Sequence, residues 1–85
     1  MMPYFVYILR CLDNTLYTGI TNDLAKRLIS HKRGSGAKYT RAHPPSEYVY
    51  TKKYRDRSGA QKREAVIKKL TRQEKQALIT KNRPR

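Results

Sequence analysis

The segment Tyr4-Phe5-Val6-Tyr7-Ile8-Leu9 is an unbroken run of apolar and aromatic residues in a chain otherwise crowded with lysine and arginine. Six such residues in a row, rich in β-branched and aromatic types, predict a strand buried on both faces. With only 85 residues, the chain has little else to build a core from. A domain of this size buries roughly 60% of its unfolded surface, so one small core is expected. The expected boundaries are a single domain over residues 1–81 and a frayed basic tail over 82–85.

Charge sets the second limit. Hydrophobic residues make up 38% of the chain, and 20 Lys plus Arg stand against 6 Asp plus Glu, a formal net charge of +14. The distribution is uneven: residues 1–25 are net −1, residues 26–56 net +7 and residues 57–85 net +8. The first third therefore builds core, and the remainder supplies a basic surface. Such a balance points to a polyanion, nucleic acid ahead of an anionic membrane. The single cysteine, Cys11, excludes a disulfide framework and any multi-cysteine zinc site. No apolar run approaches 18 residues and no charged segment precedes an apolar stretch at the N-terminus, so a cytoplasmic location without membrane contact is expected.

Asp13-Asn14 is a turn signal, and Thr15 to Ile20 reads as a second strand, giving a hairpin over residues 4–20. Loop length decides its geometry. A two-residue loop at 13–14 puts Tyr7 and Tyr17 on opposite faces, whereas a three-residue loop at 13–15 puts both phenols on one face. Both remain open at this point. Thr21-Asn22-Asp23 supplies capping residues for a helix to about Arg33, closed by Gly34, with Leu24, Ala25, Leu28 and Ile29 as its apolar stripe. Residues 34–45 read as a loop. Glu47 to Tyr54 reads as a third strand, with Tyr48, Tyr50, Lys52 and Tyr54 alternating against Val49 and Thr51. Ser58 with Gln61 predicts a capping box for a helix to about Leu70, whose Val66, Ile67 and Leu70 face the core; Thr71 with Glu74 predicts another for a helix to about Lys81. The expected fold is α+β, order ββαβαα, with a small three-stranded antiparallel sheet.

Several chemistries lack their parts. There is no Walker-type phosphate loop, no nucleophile-elbow motif, and the two histidines, His31 and His43, have no cysteine partner for structural zinc. Of the six acids, most sit at turns or helix starts where capping explains them. Glu64 is the exception, placed at the margin of a helix face among Lys62, Arg63, Lys68 and Lys69. It reads either as an i,i+4 surface pair with Lys68 or as a lone carboxylate for one hard cation that keeps most of its waters.

Phe5-Val6-Tyr7, nine further residues, and Tyr17-Thr18-Gly19 together resemble the paired signature of the GIY-YIG nuclease superfamily. Arg27 on the following helix stands where that family keeps an invariant Arg, and Glu64 where it keeps its metal-binding Glu. His31 matches a position filled by His or Tyr in relatives. The resemblance runs from about Tyr4 to Leu70 and is greatest to small stand-alone bacterial members, which also carry Gly-Ala-Lys-Tyr-Thr-Arg, here Gly36 to Arg41. The same module is the N-terminal nuclease of the excision-repair protein UvrC and of structure-specific junction nucleases. Phe5, Val6 and Thr18 depart from the signature at positions of backbone and packing. The polar Asn found late in some relatives has no clear counterpart among Gln73, Gln76 and Asn82.

The resemblance implies a metal-dependent endonuclease in DNA repair or processing, with Tyr7, Tyr17, Arg27, His31 and Glu64 as its catalytic residues. Glu64 holds one Mg²⁺ or Mn²⁺, Arg27 holds the phosphate, and Tyr17 is the expected general base, with Tyr7 as alternate. His31 takes the proton onward or orients the phenol. Both tyrosines then share a face, which favours the odd-length hairpin loop. Gly19 is a structural residue giving backbone room beside the site. Lys26, Lys32, Arg33, Lys38, Arg41, Lys52, Lys53 and Arg55 are expected to track the backbone of DNA, or of RNA. Tyr39 and His43 either stack on an exposed base or pin the loop. A monomer is expected, and the absence of an accessory DNA-reading domain leaves a role for a protein partner that directs specificity. The rival reading is a non-catalytic nucleic-acid-binding module of the same fold, which the charge alone explains.

Overall fold

Strand β1 (Tyr4–Cys11) runs through the middle of a three-stranded sheet, between β2 (Leu16–Thr21) and β3 (Pro45–Tyr54), and pairs antiparallel with both. The computed structural model describes residues 2–82, so the expected frayed tail lies, beyond Asn82, outside the described residues. Val6, Tyr7, Ile8 and Leu9 are all fully buried. Successive strand side chains point to opposite faces, so an unbroken apolar run needs cover on both. Helices α1 (Leu24–Lys32), α2 (Lys38–Ala42), α3 (Arg57–Lys68) and α4 (Arg72–Lys81) supply it, in the order ββααβαα.

The hairpin register decides where the phenols go. Leu9 opposes Tyr17 and Tyr7 opposes Gly19. The Cys11 N–H donates to the Thr15 carbonyl and closes a three-residue loop, Leu12 to Asn14, with Asn14 in the left-handed region at φ 67°. The loop is odd in length, as both phenols on one face require, but lies one residue earlier than 13–15. Tyr7, Tyr17 and Gly19 therefore share a face. Val6 and Ile8 project from the other, where they form the apolar core with Tyr50, Ala60, Ile67 and Ile79.

Four details differ from the sequence expectations. First, residues 38–42 form α2 instead of loop; five residues are too few to show a helical period, and tertiary bonds from Thr40 and Arg41 hold them. Second, α3 starts two residues early, because the Asp56 carboxylate accepts from the Gly59 N–H at 2.9 Å and takes the capping role expected of Ser58. The capping box of Thr71 and Glu74 on α4 is present as expected. Third, Val66 is 50% exposed and Ile29 52% exposed. α1 buries His31, outside its expected stripe, and α3 buries Ile67 as expected, together with Ala60. Fourth, the pairing of β3 shifts between Ile8 and Leu9, so Ile8 opposes Tyr50 while Leu9 opposes Tyr48. This irregularity at Val49 breaks the alternation and sends Tyr48 to the face of Tyr7, opposite Tyr50.

Among the described residues no helix is long and apolar enough to cross a membrane. The contrast between Ile67 and Val66 is directly testable. Ile67→Ala removes a fully buried side chain at the centre of the core and should cost about 2–5 kcal/mol. Val66→Ala, on the half-exposed side of the same helix, should cost less than about 1 kcal/mol. Urea denaturation of both variants checks this, and equal losses would contradict the orientation of α3.

Candidate active site

The hydroxyl of Tyr7, at the middle of β1, lies 2.8 Å from Nε2 of His31 and accepts from Nε of Arg27 at 3.4 Å. Positions 27 and 31 are four apart on α1, so they lie on one helix face and reach the same phenol. The other ring nitrogen of His31, Nδ1, is 2.7 Å from Oγ1 of Thr40 on α2, and that hydroxyl donates to the Ala37 carbonyl at 3.2 Å. Tyr7, His31 and Thr40 are all buried. Tyr48 completes the cluster: its hydroxyl donates to the Leu24 carbonyl at 2.7 Å, tying β3 to α1, and its ring meets Tyr7 edge-on at 5.1 Å.

Two glycines leave room for these rings. A Cβ at Gly19 would stand 2.5 Å from the Tyr7 hydroxyl, and a Cβ at Gly36 would stand 2.5 Å from Nδ1 of His31. Gly19 thus does more than relax a strand end; it allows the phenol to lie against β2. Tyr17 sits beside the cluster, half-buried, with its ring 6.3 Å from Tyr7 and 5.4 Å from His31. Tyr39 stacks on both Tyr17 and His43, and His43 Nδ1 pairs with Asp13 Oδ2 at 2.6 Å. In this arrangement Tyr39 and His43 stack on rings of the protein itself.

Burial governs the protonation states. It pushes the Tyr7 phenol above its ordinary value, against the opposing pull of Arg27. Burial, with the Arg27 charge second, pushes His31 down to about 4, so the imidazole is neutral at pH 7. Tyr48 is pushed up to about 12, again chiefly by burial. The hydrogen bond to Tyr7 raises Arg27 further, leaving a permanent cation. A cleft of about 220 Å³ opens beside it, lined by Thr21, Asn22, Asp23, Lys26, Arg27 and Ser30.

Five of the six acids are committed elsewhere. Asp13 holds Thr15 and His43, Glu47 pairs with Arg10, Asp23 and Asp56 cap α1 and α3, and Glu74 belongs to the capping box of α4. Glu64 remains. It flanks the Ala60–Ile67 line of α3, is 21% exposed at its side chain, and pairs with Lys68 Nζ at 3.3 Å. No bond joins it to Tyr7, Tyr17, Arg27 or His31 among the described residues. Their link is electrostatic: the Glu64 charge is one of the influences raising Tyr7. No three His, Cys, Asp or Glu side chains gather among the described residues, so no cluster of three such ligands is ready to hold a cation here.

The remaining basic candidates, Lys26, Lys32, Arg33, Lys38, Arg41, Lys52, Lys53 and Arg55, are all exposed. Arg41 donates to the Gly34 carbonyl at 3.2 Å, closing the turn before α2. Lys53 opposes Phe5 and so lies on the Tyr7 face, whereas Lys52 opposes Val6 on the other, its Nζ 5.8 Å from the Tyr54 ring. At the cluster itself, His31 bonds the phenol of Tyr7 and only packs its edge on Tyr17, and the Arg27 contact likewise goes to Tyr7. Thr40, Gly36 and Tyr48 were missed. Thr40 and Gly36 lie inside the Gly36–Arg41 segment already singled out by resemblance, but only the fold brings them to His31.

Residues 3–77 match the model of the family described as the GIY-YIG catalytic domain. The chain is 53% identical over 76 residues to a UPF0213 protein of Oceanobacillus iheyensis, covering 89% of this chain and 88% of that one. It is 51% identical over 76 residues to a UPF0213 protein of Clostridium perfringens, covering 89% and 82%. Among solved structures, it is similar to the solution structure of a UPF0213 protein from Bacillus halodurans, with TM-score 0.62, 38% identity, and 95% and 86% of the two chains covered.

The buried neutral imidazole predicts a pH dependence of stability. Above about pH 6.5 His31 is neutral in both the folded and unfolded chain, and its full contribution is present. Between about 6.5 and the folded value of about 4, the unfolded chain binds a proton that the folded one refuses. Stability should therefore fall as pH drops through that window, by about 3 kcal/mol in all. Denaturation midpoints from pH 7.5 to 4 should show this slope, and His31→Gln should flatten it.

Proposed function

The chain belongs to the GIY-YIG catalytic-domain family, and from that membership we propose that it is a nuclease hydrolysing phosphodiester bonds in DNA, directed by DNA structure more than by sequence. The observation that carries the reading is the setting of Arg27: a permanent cation fastened by its Nε to a buried phenol, beside a cleft also lined by Lys26. Its terminal nitrogens make no hydrogen bond among the described residues. They are left for a phosphate, whose negative charge grows in the transition state.

In this reading Tyr17 acts as the phenolate and takes the proton from the attacking water, becoming the neutral phenol. Tyr7 has no exposed surface, whereas Tyr17 is half-buried. Water and a phosphodiester reach the second phenol and not the first. Tyr7 and His31 then act as the support that aims Arg27. Glu64 is the residue that would hold one Mg²⁺ or Mn²⁺, which when bound would stabilise charge on the leaving oxygen. A single carboxylate suits such an ion, which fills its remaining positions with water and substrate oxygens. The basic surface supplies sequence-independent affinity. One observation favours the binding-module reading: Lys68 already pairs with Glu64, as in an ordinary surface ion pair.

Cleavage of plasmid, flap, branched DNA and RNA, each with Mg²⁺, Mn²⁺ or EDTA, separates the two. The wild type should nick at least one DNA in a metal-dependent way. Glu64→Ala and Tyr17→Phe should each slow cleavage at least about a hundredfold. DNA binding should survive both changes and weaken steeply between about 50 and 200 mM salt. If no substrate is cut while binding persists, the binding module is the correct reading.

A further inference from the structure

We propose that Thr40 is a positioning residue of this site: its hydroxyl fixes which nitrogen of His31 carries the proton, and through that the direction of the hydrogen bonds that hold Arg27. The effect on cleavage rests on the nuclease reading above; the direction of the bonds does not.

The argument is a count of protons. The Ala37 carbonyl can only accept, so the single hydroxyl proton of Thr40 is spent on it. Oγ1 of Thr40 must then accept from His31, 2.7 Å away, which places the imidazole proton on Nδ1. A neutral ring has one N–H, so Nε2 presents a lone pair, and the Tyr7 hydroxyl 2.8 Å away donates to it. With its own proton committed, the Tyr7 oxygen faces Arg27 as an acceptor, and Nε–H donates to it. Every bond runs one way, from Arg27 through Tyr7, His31 and Thr40 to the carbonyl of residue 37.

Reversing the middle of the chain fails. If Thr40 donated to Nδ1, the Ala37 bond would be lost and Nε2–H would point at Tyr7. The Tyr7 hydroxyl proton would then have no acceptor among the described residues, in a side chain with no exposed surface. A buried polar group left without a partner is costly. Gly36 serves the same arrangement, since a Cβ there would collide with Nδ1 and Cγ of His31. The neutrality of His31 agrees with this chain, because a protonated ring would turn Nε2 into a donor aimed at the hydroxyl it should accept from.

The test is ¹⁵N NMR of the imidazole together with cleavage. In the wild type, His31 should show a protonated Nδ1 and an unprotonated Nε2. Thr40→Val keeps the shape and removes the hydroxyl. It should shift the ring toward the Nε2–H tautomer, weaken the hydrogen-bonded Arg27 Nε–H signal, and slow cleavage roughly tenfold to a hundredfold. Thr40→Ser should restore all three, which a purely space-filling role would not require. An Nε2–H tautomer in the wild type overturns the proposal, even if Thr40→Val fails to fold. So does a Thr40→Val protein with unchanged tautomer and rate. If the wild type cuts nothing, the nuclease reading fails, and the tautomer measurements alone decide the role of Thr40.

Discussion

The hydrogen bond between the Tyr7 hydroxyl and Nε2 of His31 joins the central strand to α1 where water does not reach. Leaving either group unpaired there would cost about 1–3 kcal/mol. The bond therefore constrains everything around it. α1 must dock with the 27–31 face inward, which brings Arg27 to the same oxygen. The far nitrogen of His31 then needs its own partner, and α2 exists in position to provide Thr40. Glycine is needed at 19 and 36 because side chains there would occupy the space of the two rings.

The sheet separates structure from chemistry by simple alternation. Val6 and Ile8 turn to the apolar core built with α3 and α4, while Tyr7 and Leu9 turn to the opposite face, where α1 and Tyr48 cover the phenol. One buried strand thus anchors the core and carries the centre of the site. Glu64 comes from a helix on the core side and reaches the cluster through its charge, without contact.

Much of this was legible residue by residue. The Tyr4–Leu9 run announced a strand covered on both faces, and Val6 to Leu9 are buried accordingly. Thr71 and Glu74 announced the start of α4, because a capping box is a local contact that needs no tertiary partner. Glu64 stood out because the other acids had local work to do. The misreadings share a cause as well. Ser58 was the expected cap of α3, but the backbone entering the helix gives that role to Asp56. Val49 gave no sign of the irregularity that parts Tyr48 from Tyr50. His31, outside the expected apolar stripe of α1, is the residue that helix buries.

By itself the sequence determined the three strands and the helices α1, α3 and α4 in their order, the basic surface and the set of residues able to do chemistry, because these follow from periodicity, charge and residue type along the chain. Only the tertiary structure decided which of them meet. The three-residue turn put Tyr7 and Tyr17 on one face, the docking of α1 gave Arg27 and His31 to Tyr7, and five residues read as loop became the helix that holds His31. The physical reason is that hydrogen-bond partners of buried groups are chosen by packing between segments distant in sequence. The contacts of Tyr7 span 20 and 24 positions, far beyond the reach of any local pattern.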